Sequence, residues 1–179
     1  MESNNLNRIR TVSRKFKLLF IALIFIIPLT DLLFWLSFNH LPIGFTIQLP
    51  VPAPQTLPIE TRLLAFLSNL IPNAVIIYGL FNLKELFSLY EKGIVFTQKN
   101  VQCFQRIGFS IIGFVFACII KTPFLSLALT MYNPPGEHML SLQFGSEYLS
   151  TLIMGALVVL ISWVMSEAVK LEHEHAHTV

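Results

Sequence analysis

The sequence predicts an all-α membrane protein, a bundle of four transmembrane helices. It adds a cytoplasmic helical hairpin and a short two-stranded extracytoplasmic cap. Three observations carry this reading. The 179 residues are 54% hydrophobic and 12% charged, with a mean hydropathy of +0.68, whereas soluble domains carry about 25% charged residues. Four apolar runs, at 18–38, 63–81, 107–129 and 149–169, each have the length that ~30 Å of hydrocarbon demands of a helix. Lysine and arginine collect in alternate connections, as the positive-inside rule requires of a threaded chain.

The first run follows a basic segment, residues 1–17, that includes NRIRTVSRKFK. A secretory signal would have a shorter apolar region, about 7–15 residues, closed by small residues. Here the run continues through LLFWLSF, so it is an anchor. Arg8, Arg10, Arg14, Lys15 and Lys17 precede the first span; Lys84, Lys92, Lys99 and Arg106 lie between the second and third; Lys170 opens the tail 170–179. Only Arg62 and Lys121 of the twelve basic residues fall elsewhere. Both termini are therefore expected in the cytoplasm, with the N-terminal cations on anionic headgroups. Cys103 and Cys118 fall on one expected helix, about 22 Å apart and beyond disulfide reach.

The connection 39–60 holds Pro42, Pro50, Pro52, Pro54 and Pro58, and PVPAP should be extended polyproline II. GFTIQLP before it and MLSLQFGS in the third connection both alternate with period two, and are expected to pair as strands of a cap or lid. Ser146 is placed to cap the fourth helix, with Glu147 favourable against its dipole.

Within the spans, Asp31 and Lys121 lie at similar depth and are expected to pair, with Arg62 the competing partner. Such a pair fixes a bundle or, in a sharper reading, forms part of a proton or ion path. Asn69 and Asn73 flank Pro72, which removes the bond to the Ser68 carbonyl and should kink the second helix. Their amides are expected either in interhelical hydrogen bonds, satisfying what the proline frees, or around a ligand pocket. Gly108, Gly113, Gly155 and Ala156 permit close helix contact; without a strict GxxxG, homo-oligomerisation stays open.

The stretch NLKELFSLYEKGIVFTQKNVQCFQRIG, residues 82–108, is the most informative. Leu83, Leu86, Phe87 and Tyr90 repeat at three and four, so the second helix should run on as an amphipathic extension. Gly93 suits the left-handed stop, Phe96 should tuck against the base of the hairpin, and Thr97 should cap the next helix through its side-chain oxygen.

Tyr90, Gly93, Phe96, Thr97 and Asn100, then Ile107–Gly108, resemble the bacterial membrane family DUF2975, a domain of unknown function. SLQFGSEYL and the closing WVMSEAVKLEHEHAHTV extend the resemblance over most of the chain. Members look like four-span proteins ending in an acidic stretch and Thr-Val or Thr-Ile, here Thr178–Val179. This chain departs by interleaving His173, His175 and His177 with Glu172 and Glu174. Two of those histidines share a helix face, but a terminal tail has to pay ordering entropy to complete a metal site, so no metal or other cofactor is expected. The resemblance implies a helix-turn-helix repressor as cytoplasmic partner.

No P-loop, GxSxG, HExxH or paired-carboxylate pattern occurs, nor a basic aromatic patch for nucleic acid. The reading is a non-enzymatic regulatory or sensory accessory in the lipid bilayer. The alternative is a small transport or immunity protein working through Asp31 and Lys121.

Overall fold

Each apolar run lies inside a longer helix. The computed structural model describes residues 2–41, 49–52, 56–134 and 136–176, with side chains from residue 8 to residue 171 of that set. The helices are α1 (Glu2–Ser37), α2 (Ile59–Glu91), α3 (Gln98–Thr130) and α4 (Ser146–Ala176), with a single 3-10 turn, Phe38–His40, after α1. All four are long and apolar enough to cross a membrane. The basic N-terminal segment is continuous with α1 because lysine and arginine are good helix formers and no proline or glycine interrupts them. Pro28, Pro72 and Pro123 sit inside helices that continue through them.

The helices pack in chain order, α1 on α2, α2 on α3 and α3 on α4, and α1 makes no packed interface with α4. The expected bundle is thus an open row. Glycine sets its tightest crossing: a Cβ on Gly108 would lie 2.6 Å from Val159 Cγ2 and 2.9 Å from the Val159 nitrogen. A Cβ on Gly155 would meet Ile112 Cγ1 at 2.7 Å and the Gly108 carbonyl at 3.1 Å. Two backbones therefore touch where α3 crosses α4. Gly113, by contrast, leaves ordinary contact distance, 3.6 Å to Val75.

At the end holding the α1–α2 and α3–α4 connections, Trp35, Val51, Leu57, Ala65, Leu125 and Leu129 form a buried cluster. Asn39 fastens the first connection over it: its Nδ2 donates to the Leu57 carbonyl at 3.0 Å, and its Oδ1 accepts from the Leu57 amide at 2.8 Å. Val51 and Leu57, from the described part of that connection, are thus buried against the helix ends. No strand occurs among the described residues. Of the two expected to pair, residues 44–48 lie outside the described residues and 139–145 are irregular. The reason is local: the Met139 amide donates to Thr130 Oγ1 at 3.2 Å and the Ser141 amide to Ser126 Oγ at 3.1 Å. Hydroxyls on α3 take the donors that a strand partner would need. Ser146 is the first residue of α4 rather than its cap; the Gly145 carbonyl accepts from the Tyr148 amide, and Glu147 sits in the first turn. Cys103 and Cys118 are both free.

Two outcomes are expected. Gly108→Ala should destabilise the protein by about 1–3 kcal/mol in reversible detergent unfolding, through overpacking, while Gly113→Ala should be near neutral. Beyond the end of α3, Tyr132 Oη donates to Glu60 Oε2 at 2.7 Å, and that bond raises the Tyr132 pKa above the ordinary tyrosine value. A folded-state pKa raised in this way gives stability that is present below the unfolded tyrosine pKa and lost as pH rises through the folded one. Ultraviolet titration should show Tyr132 ionising late, and Glu60→Gln should bring it back toward the free value.

Candidate functional site

Two places bring together the residues that the sequence singles out. The first lies within the membrane-spanning part of α1 and α2. Asp31 and Trp35 are one turn apart on α1, and Asn69 and Asn73 one turn apart on α2, so two faces of period four meet. Asn69 Nδ2 donates to Asp31 Oδ1 at 2.9 Å, and Asn73 Nδ2 donates to Asp31 Oδ2 at 3.1 Å. Each carboxyl oxygen thus has its own amide donor from the neighbouring helix. Trp35 is 2% exposed and lies one turn along α1 from the carboxyl.

The expected Asp31–Lys121 ion pair is not formed: no such contact within 4 Å exists among the described residues, and Lys121 acts on Asp31 only through its field. The amides are nearer because α2 packs directly on α1, whereas α3 lies beyond it. Arg62, the competing partner, donates instead to the Leu36 carbonyl at 2.7 Å, at the end of α1. The asparagines do not repair the gap that Pro72 leaves, since both amides are spent on Asp31. Ser68 turns its own hydroxyl back to the Leu64 carbonyl at 2.9 Å. Among the described residues, four buried side-chain atoms have no hydrogen-bond partner: Trp35 Nε1, Thr61 Oγ1, Arg62 Nε and Asn69 Oδ1.

The second place is the turn between α2 and α3. Gly93 has φ +80°, its amide donates to the Tyr90 carbonyl at 3.0 Å, and the Ile94 amide donates to the Leu89 carbonyl at 3.0 Å. This is the paired closure of a Schellman stop, and glycine is required there because a Cβ would be strained. Thr97 has the extended backbone of an N-cap, φ −144° and ψ 160°, but its hydroxyl makes no cap bond. It donates instead to Asn100 Oδ1, while Asn100 Nδ2 donates to the Ile94 carbonyl at 3.1 Å. The Thr97 carbonyl receives the Asn100 amide at 3.0 Å, opening α3. Asn100, fully buried beside Tyr90, is therefore the keystone of the turn, a role its spacing alone does not reveal.

Phe96 departs from expectation. It is 69% exposed rather than tucked against the hairpin base, because Leu86, Cys103 and Ile107 already fill that space. Phe87 faces α1, with ring centroids 5.2 Å from Phe16 and 5.4 Å from Phe20. Lys17 Nζ reaches Glu91 Oε2 at 2.8 Å, tying the start of the first apolar run to the end of α2. Sequence periodicity gave no hint of that latch. α4 continues to Ala176, but the side chains of His173, His175 and His177 lie outside the described residues.

The model of a protein family of unknown function, DUF2975, matches residues 47–179, about three quarters of the chain. This chain belongs to DUF2975. The matched stretch holds the whole α2–α3 turn together with Asn69, Asn73 and Lys121; Asp31 lies ahead of it. No curated protein and no solved structure matches. The DUF2975 chain is thus a multi-pass membrane protein with one intramembrane carboxyl clamp and one rigid interhelical turn.

Replacing both clamp donors, Asn69→Leu with Asn73→Leu, should destabilise the protein by about 1–3 kcal/mol by leaving the buried carboxyl without donors. Adding Asp31→Leu should recover most of that loss in the same detergent-unfolding assay. If it recovers nothing, the clamp is not what the double substitution breaks.

Proposed function

We propose that this protein is a non-enzymatic regulatory accessory of the bacterial cytoplasmic membrane, whose α2–α3 turn docks a cytoplasmic helix-turn-helix transcription factor. The observation that carries the reading is Phe96. A large aromatic side chain stands 69% exposed on a turn whose backbone is fixed on one side by Gly93 and on the other by Asn100. An exposed aromatic on a rigid support loses little freedom on binding, and such residues supply most interface energy. Ile94, also exposed, extends the apolar surface. The distribution of lysine and arginine supports placing this turn and both termini on the cytoplasmic side. The clamped carboxyl and the absence of a nucleophile–base pair from the sequence motifs support a role without catalysis.

A second reading, a transport or immunity protein, draws on the unpartnered polar atoms around Asp31. It is the weaker because both Asp31 oxygens are already taken by amides from one neighbouring helix, an arrangement that fixes packing rather than passing an ion.

Pull-down of the full chain in detergent, with the helix-turn-helix repressor implied by the family resemblance co-expressed, should recover that DNA-binding protein. Phe96→Ala should reduce recovery about tenfold, the loss typical of an aromatic anchor. Recovery of no DNA-binding protein by the wild type would overturn the regulatory reading. Asp31→Asn should leave growth under ion or peptide stress unchanged; a growth defect there would favour the second reading.

A further inference from the structure

Beside the turn, α2 and α3 enclose a groove of about 540 Å³ whose walls carry Lys84, Lys92, Lys99 and Arg106 but only one carboxylate, Glu85. That is a net charge of three positive units in one concavity. None of the four cations forms an ion pair or a hydrogen bond among the described residues. Glu91, one residue from Lys92, is spent elsewhere, holding Lys17 at 2.8 Å. Like charges brought together without a counter-ion repel, and a bound anion relieves that repulsion.

The rest of the lining says which anion. Tyr78 and Phe81 form one rim of the groove, both half-exposed and both on the apolar run of α2. The Lys84 ammonium sits 5.5 Å from the centre of the Phe81 ring, a cation–π contact that holds the cation at the boundary between charge and hydrocarbon. A ligand suited to this groove has a phosphate at the charged end and an apolar chain leaving past the two aromatic rings. We infer that the α2–α3 groove is a binding site for the phosphate headgroup of an anionic phospholipid, with its acyl chain along Tyr78 and Phe81. The volume suits a single headgroup, within the range of ~300–1,000 Å³ usual for ligand sites. Basic pockets between membrane helices recognise anionic lipids by the same electrostatics. The site stands apart from the docking role of Phe96, and its test does not involve a protein partner.

The test uses the purified full chain in neutral detergent, followed by native mass spectrometry and thermal unfolding. Phosphatidylglycerol should bind and raise the unfolding temperature; phosphatidylcholine with the same acyl chains should do neither. Lys84→Gln with Lys99→Gln and Arg106→Gln should weaken phosphatidylglycerol binding about a hundredfold, from the loss of three charges at the headgroup. Arg62→Gln with Lys121→Gln and Lys170→Gln removes as many charges from outside the groove and should leave that binding within about threefold of wild type. Equal binding of the two lipids by the wild type overturns the proposal even if the groove variant does not fold. So does an equal loss in the variant that keeps the groove cations. Inorganic phosphate at matched concentration should give no stabilisation; if it stabilises as well as the lipid, the groove holds a free phosphate and the lipid assignment is wrong.

Discussion

A hydrocarbon solvent offers no hydrogen bonds, and the polar side chains described within the spans are largely arranged around that deficit. The backbone meets it by being helical over nearly all of its described length. The side chains meet it in two ways. Ser68, Thr122, Ser126 and Thr130 return their hydroxyls to carbonyls in the preceding turn of their own helix. Asp31 has a carboxyl that needs donors, and a neighbouring helix brings them. Asn69 and Asn73 do so at a spacing that fixes the register of α2 against α1.

The same deficit explains why the two ends of the molecule look different. Where α1–α2 and α3–α4 connect, chain without helical structure must still satisfy its amides, and it borrows hydroxyls and an asparagine from the helices beneath. At the opposite end the α2–α3 turn is so short that backbone geometry closes most of it, through Gly93, with Asn100 filling the remaining vacancy at the Ile94 carbonyl. The cations gathered there are left largely without partners, which water and headgroups at a membrane surface can supply.

Much of this was legible in the sequence, for identifiable reasons. Span length, the glycine stop and the capacity of Gly108 and Gly155 for close helix contact follow from one-dimensional spacing and residue size. The polar set Asp31, Asn69, Asn73 and Lys121 was visible because such residues are rare in apolar runs. What spacing does not contain is which helix neighbours which. Pairing Asp31 with Lys121 by depth assumed that α1 and α3 touch as closely as α1 and α2, and the open row removes that assumption. Phe96 was misplaced for a related reason: hydrophobicity shows that a residue can be buried, not that room remains once Leu86 and Ile107 have packed. The Thr97 hydroxyl was outbid by an amide three residues on, a competition that capping preferences alone do not rank.

The row of helices also bears on how the protein is made. A closed ring cannot complete its packing until the last segment has emerged from the ribosome. Here α2 finds its partner in a helix already synthesised, α3 does the same with α2, and α4 with α3. Each segment can be matched as it enters the bilayer, so the carboxyl on α1 waits for one more helix rather than three before its donors arrive.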